Sequence, residues 1–115
     1  MIVSRFANSH QIRISAVAAK DILEIYDYVV EFDSEANADR LIAKIKASIN
    51  TLANFPERGS IPNDLVDIGI RDYRQIFFKP YRIIYLVNEK FVTVNAVLDG
   101  RRNLQTLLSR RLLRL

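Results

Sequence analysis

The chain has no cysteine and no tryptophan, and in 115 residues it carries one methionine, one histidine, three glycines and three prolines. Without cysteine there are no disulfides, and thiolate metal sites and thiol nucleophiles are excluded as well. The single histidine, His10, cannot build a histidine metal site alone, and no spaced carboxylate cluster compensates for its isolation. No metal and no cofactor are therefore expected. No apolar run approaches the roughly 20 residues that cross a bilayer, and Met1 to Gln11 lacks both a long apolar core and a small-residue cleavage site. The expectation is a soluble, cytoplasmic protein with no membrane partner. Repeats, low-complexity stretches and linkers are also missing, which predicts one domain over residues 1–115, long enough to bury a core without staples.

What is present is polarised. Half of the residues are hydrophobic and 26% are charged, an ordinary balance for a globular protein. From Arg71 to Leu115, however, ten Lys/Arg face three Asp/Glu, whereas residues 1–70 hold seven against ten. Clustered cations raise the local potential and steer anionic partners, so the C-terminal part reads as the footprint of a polyanion or an acidic protein.

Hydrophobic spacing predicts the elements. Gln11 to Ser15 alternates apolar Ile12 and Ile14 with Arg13, as a half-buried strand does. From Ala16 to Asp33 the set Ala18, Ile22, Ile25, Tyr26, Val29 and Phe32 falls on one helical face, with Ser15 as cap. Ser34 and Glu35 open a second helix whose face is Ala38, Leu41, Ile42, Ile45, Ile49 and Leu52. So short a connection implies an antiparallel helical hairpin. Pro56, Gly59 and Pro62 make Asn54 to Asn63 a loop. Arg71–Phe78, Tyr81–Val87 and Phe91–Leu98 are then three antiparallel strands joined by short turns, and a leucine-rich helix follows Asp99-Gly100. The predicted class is α+β in the order β-α-α-β-β-β-α, with the hairpin packed on a small, mainly antiparallel sheet.

Four segments in this order resemble the RelE/ParE superfamily of type II toxin-antitoxin toxins. They are Ala18-Ala19-Lys20-Asp21-Ile22, Leu52-Ala53-Asn54-Phe55-Pro56-Glu57-Arg58-Gly59, Tyr81-Arg82-Ile83-Ile84-Tyr85 and Val97-Leu98-Asp99-Gly100-Arg101-Arg102-Asn103. The resemblance implies a compact toxin that causes growth arrest, is neutralised by a cognate antitoxin, and leaves room for a higher-order toxin-antitoxin assembly. The superfamily contains both ribosome-dependent mRNA endonucleases and inhibitors of DNA gyrase.

Metal-free RNA cleavage needs a base, an acid and cations for the phosphorane charge. Carried over by position from the RelE-like nucleases, the phosphate-holding set is Arg82 and Arg102, with Arg74 and Ile76 near the lysine positions of the first sheet strand. The tyrosine position falls on Leu108, which cannot transfer a proton, and no histidine lies at that end of the chain. Tyr73, Tyr81 and Tyr85 are the remaining phenols on the strands, with His10 far off in sequence. The incomplete acid-base set and the long, nearly equal helices look more like the ParE branch, whose implied activity is gyrase inhibition by binding rather than catalysis. On this reading Arg74, Arg82, Arg101, Arg102 and Arg111 contact the target, and Leu107, Leu108, Arg111, Leu112 and Leu115 dock the antitoxin. The alternative is a ribosome-dependent endoribonuclease in which Arg74, Arg82 and Arg102 hold phosphate. In a purely structural role, Arg82 would pair with a carboxylate such as Asp72 or Asp99, and Arg110 and Arg114 would belong to a solvated tail.

Overall fold

In the computed structural model, residues 9–100 and 105 are described. Strand β1, Gln11–Ile14, leads into helix α1, Ala16–Phe32, through Ser15, whose hydroxyl accepts the Ala18 N–H at 3.1 Å. Ser34 repeats the device at the start of α2, Glu35–Asn50, accepting the Asn37 N–H at 3.0 Å. Each cap satisfies an N–H that has no intrahelical partner and is worth about 1 kcal/mol. The second helix tightens into a 3₁₀ turn at Thr51–Ala53, and Leu52, expected on the helical face, is buried there.

Beyond the loop a four-residue helix, α3, spans Asn63–Val66, followed by β2 at Tyr73–Phe78, β3 at Tyr81–Val87 and β4 at Phe91–Asp99. The strand order is β1-β4-β3-β2. The last three strands pair antiparallel as predicted, while β1 pairs with β4 in parallel, Gln11 opposite Phe91 and Ile14 opposite Val94. On this edge the Arg13 guanidinium lies 3.3 Å from the centre of the Phe91 ring. A register shift at Ile84/Tyr85 leaves Asn95 as an extra residue between Val94 and Ala96. Such a bulge reverses the alternation, and so Val94 and Val97 both reach the face beneath the hairpin.

That hairpin face carries the main core: Ala18 and Ile22 of α1, Ile45 and Ile49 of α2, and Ile76, Ile83, Tyr85, Val92 and Val94 of the sheet. Burying each such side chain contributes roughly 1.5–3 kcal/mol. The opposite face has a smaller cluster in which Leu65 of α3 packs on Tyr73, Ile84, Ala96 and Leu98. Two expectations change. The segment expected to be loop up to Asn63 gives way at that residue to α3, which exists because Leu65 is fully buried in this second cluster. Phe32, expected in the core, is 67% exposed. Helix α1 is anchored over the sheet at Asp21, whose carboxylate accepts the Val97 N–H at 2.9 Å, and at about 1.5 Å per residue it has run past the end of β4 by Phe32. There the Phe32 ring meets the Tyr28 ring at a tilt of 41°, centres 4.7 Å apart. Among the described residues no helix is long and apolar enough to cross a membrane, and no group of three His, Asp or Glu is placed to hold a metal.

Candidate functional site

Alternation along the strands decides where the sheet arginines point. Arg82 stands opposite Phe77, and Arg74 stands opposite Tyr85. Tyr85 belongs to the core beneath the hairpin, so Arg74 shares that face and Arg82, an odd number of residues away on the neighbouring strand, occupies the other. The two residues predicted to act together are therefore separated by the sheet.

On its face Arg82 is buried, 8% exposed. Its Nε donates to Gln75 Oε1 at 2.9 Å, and its Nη1 and Nη2 donate to Asp64 Oδ2 and Oδ1 at 3.3 and 3.1 Å. A two-pronged guanidinium–carboxylate pair of this kind fixes orientation as well as charge. The structural partner is thus Asp64 rather than the Asp72 or Asp99 anticipated from sequence. Asp64 stands beside Leu65 in α3, so the buried leucine that pins α3 to the sheet also delivers the carboxylate. Its backbone carbonyl in turn accepts a hydrogen bond from Gln105 Nε2 at 2.6 Å. Sequence reasoning missed both Asp64 and Gln75; the only signal was an acidic residue following Pro62-Asn63.

Arg74 is committed elsewhere. Its Nη1 donates to the carbonyls of Gly59 and Glu57 at 2.8 and 3.3 Å, while the Tyr85 hydroxyl accepts the Gly59 N–H at 3.0 Å. Gly59 is required by this close approach: a Cβ there would press on the Gln75 carbonyl and the Tyr85 hydroxyl. Burial pushes the Tyr85 phenol above its ordinary value, with the Gly59 hydrogen bond and the charges of Arg74 and Arg58 acting in the other direction. Burial likewise raises Tyr73, helped by Asp72, and Tyr81, helped by Asp99 and Tyr28.

The described proton-transfer candidates are dispersed. His10 Nε2 lies 2.9 Å from the Asn88 carbonyl, beside the Phe91 end of β4, whereas Arg82 pairs with Leu98; seven strand residues separate those ends by roughly 23 Å. Tyr81 and Tyr85 point to the hairpin side, and Tyr73 packs in the second cluster with Leu65. Arg101, Arg102, Leu107, Leu108, Arg111, Leu112 and Leu115, together with the expected C-terminal helix, lie outside the described residues.

A separate concavity of about 440 Å³ opens on the hairpin face, between α1 and the ends of β3 and β4. Ile25, Tyr28, Pro80, Tyr81, Val97 and Leu98 supply its apolar and aromatic walls. Among the described residues, Asp21, Glu24 and Asp99 supply carboxylates to it.

The fold is shared with chains of solved toxin-antitoxin systems. A chain of the chromosomal ParDE toxin-antitoxin system from P. aeruginosa superposes with a TM-score of 0.67 at 16% identity, covering 80% of this chain and 97% of that one. A chain of the RelBE2 toxin-antitoxin complex from Mycobacterium tuberculosis superposes with a TM-score of 0.58 at 15% identity, covering 79% and 91%. No curated protein matches the sequence. The family model for the ParE toxin of the type II toxin-antitoxin system parDE matches residues 12–104, and the chain belongs to that family.

Proposed function

We propose that this toxin arrests growth by binding and inhibiting DNA gyrase, without chemistry of its own, and that a cognate antitoxin neutralises it. The observation that carries this reading is the commitment of both sheet arginines to the protein's own oxygens on opposite faces of the sheet. A nuclease centre needs cations converging on one phosphate beside a base and an acid. Here Arg82 spends its fork on Asp64, Arg74 spends its own on Gly59 and Glu57, and His10 sits at the far end of the sheet. A binding protein needs none of that convergence; it needs charge, shape and anchors.

In this reading Arg74 and Arg82 hold the scaffold, while Arg101, Arg102 and Arg111 contact the target. The leucines of the same segment, Leu107, Leu108, Leu112 and Leu115, dock the antitoxin in a helix-in-groove or strand-addition mode. The toxin-antitoxin complexes that share the fold support such a partner. The test is direct. Purified toxin should lower supercoiling by gyrase and cause cleaved DNA to accumulate, and antitoxin should reverse both. Toxin-dependent cuts in mRNA on a purified ribosome, with gyrase unaffected, would replace this reading with the endoribonuclease.

A further inference from the structure

We propose that the outward face of the helical hairpin is a contact surface for a second copy of this chain, with α1 of each copy lying along α2 of the other. At about 100° per residue, Leu23, Asp27 and Val30 share the side of α1 turned away from Ala18 and Ile22, and all three are exposed. Leu23 keeps 58% of its surface and Val30 38%, one helical turn on either side of Asp27. Ala36, Arg40, Ala43 and Ala47 form the matching exposed side of α2, away from Ala38, Ile45 and Ile49. Small side chains let another helix pack close, and leucine and valine gain by leaving water. Charge sign differs between the two helices on this side. Exposed Glu24, Asp27 and Glu31 belong to α1, with Lys20 the exception, and exposed Arg40 and Lys44 belong to α2. The acids of α2, Glu35 and Asp39, lie on its flank toward α1, where both act on Tyr26, and Lys46, two turns from Asp39, shares that flank. Among the described residues none of the outward charges has an ion-pair partner. Arg40 donates one nitrogen to Asn37, which leaves the rest of its fork for another acceptor.

Charge also chooses the symmetry. A two-fold axis running across the helices would lay α1 on α1, acid on acid. An axis parallel to them lays α1 on α2 of the second copy, antiparallel, because the two helices of one copy already run opposite ways, and the contact closes on itself. Tyr26 and Asp39 mark one level of the hairpin, and a two-fold along the helices keeps levels unchanged. Counting from there at about 1.5 Å per residue, Asp27 arrives within a turn of Arg40 of the second copy, Glu24 within a turn of its Lys44, and Leu23 against its Ala43 and Ala47. Side chains lean toward the N-terminus of their own helix, which brings Asp27 and Arg40 together and carries Lys20 away from Lys44. Leucine, valine and alanine at the centre with opposite charges around them give an apolar middle and a polar rim, the anatomy of a specific interface. Because the hairpin covers the other face of the sheet, both copies keep the Arg82 face on the outside of the pair.

The measurement is sedimentation equilibrium of the full chain over a range of concentrations, and a concentration-dependent dimer is expected. Leu23→Lys should weaken it at least about tenfold by placing a charge in the apolar middle. Asp27→Lys and Arg40→Glu should each weaken it by a similar factor, since either one sets like charges opposite each other twice per dimer. All three positions are exposed, so at a dilution where the parent too is monomeric the thermal melts should coincide. Mixing Asp27→Lys with Arg40→Glu, or combining both in one chain, should restore association, because reversed charges then face reversed ones. A monomer at every concentration, a dimer indifferent to Leu23→Lys, or an Asp27→Lys defect that Arg40→Glu fails to relieve would each overturn the proposal. So would a monomeric toxin whose Leu23→Lys variant loses antitoxin binding, since the face would then belong to the antitoxin. Gyrase is absent from these measurements, so they stand or fall independently of the toxin's target.

Discussion

Arg82 and Asp64 form a two-pronged ion pair at 3.1 and 3.3 Å whose guanidinium is nearly enclosed while the carboxylate keeps 30% exposure. The asymmetry determines how the pair fails. A buried cation stripped of its partner has no water to turn to, whereas the stripped carboxylate can still hydrate.

Asp64→Ala should therefore destabilise the fold by about 2–3 kcal/mol, somewhat below the full cost of orphaning a buried charge. Arg82→Met should cost less, and the double variant should recover part of the Asp64→Ala loss. Urea unfolding of the four proteins measures this. Equal losses for Asp64→Ala and Arg82→Met would show that the ion pair's enclosure does not govern stability.

Gly59→Ala should cost about 1–3 kcal/mol, the typical penalty for forcing extra volume into a packed site, because the new methyl meets the Gln75 carbonyl and the Tyr85 hydroxyl. Tyr85→Phe should cost about 1–3 kcal/mol by leaving the Gly59 N–H unpaired. Thermal melts check both, and a Tyr85→Phe melt equal to the parent's would mean that water replaces the phenol.

Alkaline pH should unfold the protein through its tyrosines. Tyr73, Tyr81 and Tyr85 are all raised above their ordinary value near 10.0, chiefly by burial. A folded state that resists ionisation binds more protons than the unfolded chain, so the stabilisation is complete below about pH 10 and is lost as pH climbs through the raised values. Phenolate absorbance followed with circular dichroism should show these tyrosines ionising together with unfolding.

Arg101→Ala/Arg102→Ala should reduce gyrase inhibition and growth arrest at least tenfold with an unchanged melting temperature. Arg74→Ala should lower stability by about 1–2 kcal/mol, the order of lost hydrogen bonds from a charged donor, since it holds the carbonyls of Gly59 and Glu57. Gyrase assays beside calorimetry separate contact residues from scaffold residues.

Local signals in the sequence carried most of the fold. Ser15 and Ser34 announce their caps, the i, i+4 apolar sets announce the helical hairpin, and the β-branched and aromatic runs announce the antiparallel strands. Long-range relationships were less legible. The union of Asp64 with Arg82 depends on Leu65 being drawn into a cluster with Tyr73 and Leu98, and a four-residue helix directly after Pro62 has no period to read. The exposure of Phe32 follows from how far α1 outruns the sheet, a length mismatch that helical spacing alone does not encode. Opposite placement of Arg74 and Arg82 follows from register, which is set by pairing rather than by either strand's own pattern.

The parallel contact between β1 and β4 joins Gln11–Ile14 to Phe91–Val94, nearly the full span of the described chain. During synthesis the first strand waits, without a sheet neighbour, until the last has left the ribosome, and contacts so distant in sequence close slowly. The nascent polypeptide therefore completes this sheet only after Phe91–Val94 has been made.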